Sequence, residues 1–321
     1  MTPRTTDHPD IQPLLPRLAD ADAAVRRIAL IELADLEEPE ALAWLTDALL
    51  VDPAAEVRAE AARLLEAWEA PEVVQALCAA LADEAEAVRL AAAQSLSELK
   101  SQEAGQLILP WAQHADAFVR ASALRALREL RLEDAAGPAL LALQDPDAAV
   151  RREAVGILGW LKHAAALPAL ARLAAQEPDT EVRRAAIGAL GLARDSEVLP
   201  ALTAALRDDA WQVREEAATT LGKVGQAQAG PALVEALHDG YWQVRLRAAR
   251  ALGRLRYRQA LGGLAELLGH GIANLRKEAA LALGELGDSA ALPALRSAEA
   301  DADPEVRKAV RIALAQLQGA A

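Results

Sequence analysis

The stretch DDAWQVREEAATTLG, residues 208–222, returns 31 residues later as DGYWQVRLRAARALG, residues 239–253. Both copies contain a Val-Arg pair that occurs ten times in fixed register, once as Leu-Arg. Its arginines, the ladder arginines, are Arg26, Arg58, Arg89, Arg120, Arg151, Arg183, Arg214, Arg245, Arg276 and Arg307. The steps between them are 31 or 32 residues. Self-similarity at such a period is typical of a solenoid built from one repeated supersecondary unit.

Each repeat is predicted to form two helices. After Val244 the apolar residues Ala248, Ala251, Leu252 and Leu255 return at helical spacing, which predicts the second helix. A PALxxAL segment such as 231–237 predicts the first helix, since proline is tolerated in a first helical turn. We therefore expect an all-α chain with a single solenoid of about ten helix pairs over 10–318, between an N-terminal tail, 1–9, and a C-terminal tail, 319–321.

The joints between helices carry a second pattern. Asp lies five residues before the Val in seven of the ten copies, and Asp can accept N–H groups at a helix start. A cation in the first turn of a helix opposes the helix dipole, so each ladder arginine needs a compensating partner. We expect that partner to be the Asp of a neighbouring repeat, forming a ladder of charge-assisted hydrogen bonds. The predicted ladder includes Arg183, Asp208, Arg214, Asp239 and Arg245.

The pattern D-x-x-x-x-V-R-x-x-A-A-x-A-L-G, with PAL in the preceding helix, resembles the HEAT-like repeat of the phycobilisome-lyase type. The resemblance covers roughly residues 10–318 and implies a right-handed α-solenoid whose second helices line a concave groove. Members of that family include bilin lyase subunits, chromophore chaperones, metallocentre assembly helpers and scaffolds. The signatures of tetratricopeptide and ankyrin repeats do not occur in the sequence.

Composition restricts the location and the chemistry. The sequence has no uncharged apolar run of about 20 residues and no apolar segment near its N-terminus, so we expect no membrane contact and, by default, a cytoplasmic monomer. Cys78 is the single cysteine and is predicted to be buried. The five histidines are scattered without metal-ligand spacing, and no His-Glu pair of the deoxyhypusine hydroxylase kind occurs. Catalytic residues and a metal site are therefore not predicted.

Charge is distributed unevenly along the chain. The net charge is −13, and residues 1–120 hold 22 acidic and 9 basic residues, so the whole excess lies there. Residues 121–321 hold 25 of each, with six arginines crowded into 245–258. A pI near 5.0 disfavours nucleic-acid binding, because that binding depends mainly on Lys and Arg, although the arginine cluster keeps it as a local alternative.

A binding surface is predicted on the groove side of the second helices. Arg247, Arg250 and Arg254 form a stripe there at helical spacing. The other residues predicted at or beside this surface are Gly156, Trp160, Gly188, Trp211, Glu215 and Trp242. The two glycines are expected to leave a low floor between the tryptophans. Trp211 and Trp242 stand where the other copies have Ala, Glu, Thr or Pro, so repeat packing does not require an aromatic residue there.

Two functions lead for this surface, while nucleic-acid binding and an unrecognised enzymatic activity remain lesser alternatives. The first is a non-catalytic scaffold or assembly factor that grips a protein partner in the groove and needs no cofactor. The second, which the resemblance implies, is a bilin lyase subunit or tetrapyrrole chaperone that holds a linear tetrapyrrole between tryptophans, with its propionates on the arginines. Packing and ligand contact are equally open roles for Trp160, Trp211 and Trp242.

Overall fold

The computed structural model describes residues 5–192 and 196–319. Every regular element within these ranges is helical, and the α-helices number twenty, in ten pairs. The predicted all-α class and repeat count are therefore confirmed. None of the helices in the described ranges is both long and apolar enough to cross a membrane.

The chain forms two compact units, Met1–Ile157 and Leu158–Ala321. Unit 1 contains the helices α1 (Leu15–Leu18), α2 (Ala23–Ala34), α3 (Leu42–Val51), α4 (Ala55–Leu64), α5 (Pro71–Ala80), α6 (Glu86–Glu98), α7 (Gln102–Ile108), α8 (Ala117–Leu130), α9 (Ala136–Ala142) and most of α10 (Ala148–Trp160). Unit 2 contains the end of α10 and the helices α11 (Leu167–Gln176), α12 (Thr180–Leu190), α13 (Leu199–Ala205), α14 (Trp211–Val224), α15 (Gly230–Ala236), α16 (Trp242–Arg254), α17 (Leu261–Leu267), α18 (Ala273–Leu286), α19 (Leu292–Ser297) and α20 (Pro304–Gly319). Odd-numbered helices are the first helices of their repeats, and even-numbered helices are the second.

The predicted tails are short. Residues 5–9 form no helix, while the rest of the predicted N-terminal tail, 1–4, lies outside the described residues. The last helix extends to Gly319, one residue past the predicted end of the repeats, and 320–321 are also outside the described residues. The single solenoid over 10–318 stays a prediction.

Helix starts follow the sequence signals. Most first helices begin with a three-residue 3₁₀ turn, such as Ala227–Ala229 before α15. Pro231 then occupies the first turn of α15, where its missing N–H has no intrahelical acceptor to lose. The PAL segment therefore marks the change from 3₁₀ to α geometry at the start of a first helix.

The core of each unit lies between its first and second helices. On α16, Val244, Ala248 and Leu252 are buried, as the apolar spacing predicts. Leu255 is only half-buried because α16 ends at Arg254, so this end of the predicted stripe is wrong. Cys78 is fully buried in α5, and burial raises the pKa of its thiol to about 12.

Within each unit the second helices pack side by side. In unit 1, α2, α4, α6 and α8 pack in sequence, and in unit 2 the same holds for α12, α14, α16, α18 and α20. Second helices other than α10 also pack against the first helix of their own repeat, as in the pairs α5 with α6 and α17 with α18. Each unit is thus an α-solenoid segment that presents one row of second helices.

Candidate functional site

The ladder occupies the joints between repeats. In unit 2, Arg183 donates to both carboxylate oxygens of Asp208 at 2.8 and 3.0 Å, and Arg214 donates to Asp239 at 2.6 and 3.0 Å. The side chains of Arg214 and Asp239 are only 14% and 9% exposed. Unit 1 contains the same kind of pair, for example between Arg120 and Asp145. Such two-pronged Arg–carboxylate contacts fix geometry and add energy together.

Each ladder arginine also donates to a backbone carbonyl, which offsets its unfavourable position in the first turn of a helix. Arg214 Nη1 donates to the backbone carbonyl of Asp208, six residues earlier, at 2.7 Å. That carbonyl lies just after α13 ends, and the C-terminal end of a helix carries partial negative charge. The same bond recurs in the other repeats, for example from Arg276 to His270. This carbonyl and, where present, the neighbouring Asp therefore supply the acceptors that a guanidinium near a helix start requires.

Arg245 departs from the predicted ladder. The Asp position of the next repeat holds His270, whose Nδ1 accepts the N–H of Ile272 at 3.1 Å. An Asp in this place also accepts the N–H two residues on, as Asp239 does from Tyr241 at 2.8 Å. His270 thus maintains the turn but offers no carboxylate to Arg245, which donates to the Asp239 carbonyl of its own joint.

Trp211 has an aromatic partner that the repeat pattern does not predict. Its ring stacks on Tyr241, with ring centroids 5.5 Å apart and planes 15° apart. Trp211 begins α14, whereas Tyr241 is the residue just before α16, so the stack joins neighbouring repeats. Tyr241 remains 48% exposed. We call Trp211 and Tyr241 the aromatic step.

Arg214 lies beside the aromatic step, and the other two tryptophans of the predicted surface differ in their exposure. The guanidinium carbon of Arg214 lies 5.7 Å from the centroid of the Tyr241 ring, which ties the step to the ladder. Trp242 begins α16 and is half-buried. Trp160, at the end of α10, is 46% exposed. The structure therefore pairs Trp211 with Tyr241, and packing or ligand contact both stay open for Trp160 and Trp242.

The two glycines of the predicted floor differ. In unit 1, a Cβ on Gly156 would lie 2.9 Å from Cδ of Arg128, so the Arg128 side chain fills the space above this glycine and the predicted open floor is absent there. In unit 2, a Cβ on Gly188 would meet only the carboxylate of Glu216, at an ordinary 3.5 Å from Oε1. Gly188 therefore keeps open space above it, with an acidic group beside it.

The arginine stripe is largely paired with glutamates of adjacent repeats. Arg250 donates through Nε and Nη2 to the two oxygens of Glu278, at 2.8 and 2.6 Å, and Glu278 is buried. Arg247 donates through Nε to Glu215 at 3.0 Å. Arg254 is exposed, and no carboxylate in the described ranges lies within ion-pair distance of it.

Glu285 adds an acidic group beside the stripe. A Cβ on Gly253 would lie 2.7 Å from its Oε2. Burial raises the pKa of Glu285, as does the nearby charge of Glu278, against the opposing effect of Arg254. The surface formed by α12, α14, α16 and α18, the second-helix surface of unit 2, thus mixes paired charges with the aromatic step, in which Tyr241 is exposed and Trp211 half-buried.

Unit 1 contains a separate cleft of about 390 Å³. Its walls include Leu18, Leu30, Trp44 and Val51, together with Arg26 of the first ladder pair. Trp44 is half-buried at this cleft. Over the ranges 5–192 and 196–319, no cluster of three or more His, Cys, Asp or Glu side chains is arranged to hold a metal ion.

A family model for HEAT repeats matches residues 44–128, 106–191, 173–242 and 230–315. No curated protein sequence matches the chain. Among solved structures, an engineered protein is similar at 23% identity, with 96% of this chain and 99% of that chain covered and a TM-score of 0.54. YibA of E. coli is similar at 22% identity, with 84% and 98% covered and a TM-score of 0.62.

Yeast importin-β, Kap95p, is similar at 15% identity, with a TM-score of 0.66. The alignment covers 97% of this chain and 50% of the importin. Identities this low indicate a common fold alone. The family model, in contrast, matches stretches that together run from residue 44 to 315. The chain therefore belongs to the HEAT-repeat family.

Proposed function

We propose that this protein is a non-catalytic scaffold or assembly factor that binds a protein partner on the second-helix surface of unit 2. The observation that carries the proposal is the aromatic step. Trp211 replaces a residue that is small or polar in most other repeats, and its stacking partner Tyr241 stays 48% exposed. Trp and Tyr are enriched among the residues that dominate binding energy at protein interfaces.

The chemistry around the step suits a protein surface. Arg247 and Arg250 present charge that is already balanced by Glu215 and Glu278, so a partner can dock beside them without meeting a strong field of one sign. Yeast importin-β, which has a similar fold, binds RanGDP and Nup1. The use of this fold for binding proteins supports a protein partner on the second-helix surface.

The tetrapyrrole alternative has weaker support from the geometry. A bilin lyase subunit or chaperone of the phycobilisome-lyase type would bind the propionates of a linear tetrapyrrole with arginines. Arg250 uses two of its donors on the buried Glu278, and removing that glutamate's partner would leave a buried charge unpaired. The proposed scaffold therefore needs no cofactor, and we expect it to be a cytoplasmic monomer.

The test compares affinity capture by three forms of the protein. The variant Trp211→Ala/Tyr241→Ala removes the aromatic step, and Leu141→Ala removes an exposed apolar side chain, 70% exposed, from α9 of unit 1. We expect the double variant to lose a partner that the parent and Leu141→Ala retain. Its helicity and thermal midpoint should stay near the parent values, because Tyr241 is exposed, Trp211 is only half-buried, and the stacking of such a pair contributes about 0.5–1.5 kcal/mol beyond its buried area.

Two outcomes would overturn this proposal. Equal capture by the parent and the double variant would remove the aromatic step from the binding site. An absorbance change on adding biliverdin that depends on Trp211 and Tyr241 would favour the tetrapyrrole function. If the double variant unfolds well below the parent but binds normally when folded, Trp211 and Tyr241 are packing residues only.

A further inference from the structure

A second set of ion pairs connects neighbouring second helices. Arg250 of α16 and Glu278 of α18 are 28 residues apart and form a two-pronged pair, with Glu278 5% exposed. In unit 1, Arg125 of α8 and Glu153 of α10 have the same separation of 28 residues, with Nε and Oε1 3.3 Å apart and Glu153 2% exposed. The arginine comes five residues after a ladder arginine, and the glutamate two residues after the next one.

Glu216 of α14 occupies the glutamate position of this pattern, but the matching arginine position does not hold an arginine. The residue 28 positions earlier is Gly188 of α12. A Cβ built on Gly188 would lie 3.5 Å from Oε1 of Glu216, so this carboxylate lies beside the place from which the arginine is missing. Its hydrogen bond is a long one of 3.3 Å, accepted from the Thr220 hydroxyl.

Glu216 differs from the other glutamates at this repeat position because each of them has an arginine beside it. Glu60, Glu153 and Glu278 each have an arginine within ion-pair distance: Arg63 at 3.2 Å, Arg128 at 2.6 Å and Arg250 at 2.6 Å, respectively. For Glu216, no Lys, Arg or His in the described parts of the chain comes that close. Glu216 is also half-buried, whereas Glu153 and Glu278, covered by their arginines, are buried.

We infer that Gly188 and Glu216 form a slot for an arginine side chain of the protein partner. The inference rests on the proposed function and specifies the chemistry of the partner. Arginine fits because the slot reproduces a place that the fold elsewhere fills with arginine, and because a guanidinium can donate to both oxygens of one carboxylate, as in Arg250 with Glu278. A divalent cation does not fit, since it requires several oxygen ligands and the slot supplies one carboxylate.

The slot lies close to the aromatic step. Gly188 and Glu216 lie between α12 and α14, while Trp211 begins α14 and stacks towards α16. Glu216 follows Trp211 by five residues in α14, an axial rise of about 7.5 Å, and an extended peptide advances about 3.3 Å per residue. A partner segment therefore reaches both places with an arginine and an apolar side chain about three residues apart.

The first test needs no ligand. The variant Gly188→Arg supplies the missing arginine from within the chain, and Gly188→Ala controls for the gain in helix propensity when glycine is replaced. We expect the urea midpoint of Gly188→Arg to exceed that of Gly188→Ala, and the excess to disappear when Glu216→Gln is added to both. An equal midpoint for the Arg and Ala variants would overturn the inference, because Glu216 would then not accept an arginine at this place.

The second test uses two capped hexapeptides. One contains arginine and, three residues later, leucine; the other has citrulline, an uncharged isostere, in place of the arginine. Binding is followed by the indole N–H NMR signal of Trp211, assigned with Trp211→Phe. We expect the arginine peptide to bind at least five-fold more tightly than the citrulline peptide.

That preference should be lost in Glu216→Gln and Gly188→Arg. It should persist in Glu266→Gln, a control at an exposed glutamate of the first helix α17. Equal affinities of the two peptides for the parent would overturn the inference.

These experiments separate the slot from the proposed function. If the partner is lost with Trp211→Ala/Tyr241→Ala but binds Glu216→Gln as well as the parent, the scaffold function stands and the arginine slot is wrong. If the arginine preference depends on Glu216 while the partner ignores the aromatic step, the slot stands and the proposed docking surface is wrong.

Discussion

The two units use one repeat position in different ways. Eight residues after the ladder arginine, unit 2 has glycine in five of six repeats, Gly159, Gly191, Gly222, Gly253 and Gly284, and Ala315 in the last. At the same position unit 1 has Ala34, Glu66, Ser97 and Arg128. A Cβ on Gly253 would lie 2.8 Å from the Cα of Ala282, and one on Gly222 would lie 3.0 Å from Cβ of Ala251. The glycine of the A-L-G motif therefore permits close approach of adjacent second helices.

In unit 1 the same position carries other interactions. Arg128 extends across the neighbouring helix, fills the space above Gly156 and donates to the buried Glu153 at 2.6 Å. A long charged side chain thus takes the place of a close backbone contact. One repeat signature therefore supports two kinds of helix contact, and the residue at this position selects between them.

The largest effect is expected from adding a side chain at Gly253, where two second helices make close contact. Gly253→Val should destabilise unit 2 by about 3 kcal/mol, because overpacking at a backbone contact forces the helices apart. Glu66→Val, the matched change at an exposed position of unit 1, should alter stability by less than about 0.5 kcal/mol. Urea midpoints of the two variants provide the measurement. Equal midpoints would show that the glycine position is not special to unit 2.

The fold was predictable because its signals repeat. A fixed period, the helical spacing of apolar residues and the PAL segment each act locally, so ten helix pairs follow from the sequence. The end of the stripe at Leu255 was wrong since helix ends depend on the following turn, which apolar spacing does not specify. The Gly253 contact also involves Ala282, whose approach depends on how two helices pack.

The ladder should contribute equally in both units. Arg214→Ala in unit 2 and Arg120→Ala in unit 1 each break a two-pronged pair with an Asp that is about one-tenth exposed. We expect each to lower stability by about 1–3 kcal/mol, the usual result of leaving a charged hydrogen-bonding group half-satisfied. Arg183→Ala, which breaks the pair with Asp208, should behave in the same way. Denaturation midpoints that stay at the parent value in these variants would reduce the ladder to surface charge.

Low pH should weaken the ladder pairs in both units, because protonation removes the negative charge of their Asp side chains. Burial acts to raise the pKa of Asp239, but the hydrogen bonds from Arg214 and from the Tyr241 N–H outweigh it, and the pKa is lowered. The pKa of Asp145 in unit 1 is lowered in the same way through Arg120. A lowered pKa in the folded state stabilises the fold above the ordinary Asp value of about 3.9, and this contribution is lost as the pH falls through the lowered value.

The corresponding variants make this pH dependence measurable. Asp239→Asn and Asp145→Asn should each be less stable than the parent at pH 7. The difference should shrink as the pH falls below about 4, because these Asp side chains become protonated first in the unfolded chain and, at still lower pH, in the folded protein. Thermal midpoints across pH 2–7 would show this convergence. A difference that stays constant over the whole range would mean that the charge of the Asp side chains is irrelevant.

The site was less predictable than the fold. Tyr241 occupies a position where most other copies have Ala or Asp, so the alignment of repeats gave no reason to pair it with Trp211. The partners of Arg247 and Arg250 lie 32 and 28 residues away on opposite neighbours, and which neighbour each arginine reaches depends on side-chain direction. Periodicity predicts which residues share a surface, whereas the contacts between repeats require the packed structure.

The smallest effect is expected at the one joint of each unit where histidine replaces the ladder Asp. His114 and His270 lie 25 residues after Arg89 and Arg245, the separation that Arg214 and Asp239 also have. Both histidines accept the N–H two residues on through Nδ1, so an Asp would fit the same turn. His270→Asp should then stabilise unit 2 by about 0.5–1 kcal/mol, since the new pair is only partly buried.

His270→Asn, which can accept the same N–H without a charge, should stay near the parent. The gain should vanish when Arg245→Ala is added, and His114→Asp with Arg89→Ala should repeat the result in unit 1. If His270→Asp and His270→Asn have the same midpoint, the gap in the ladder has no energetic consequence and the two units differ only at their glycine position.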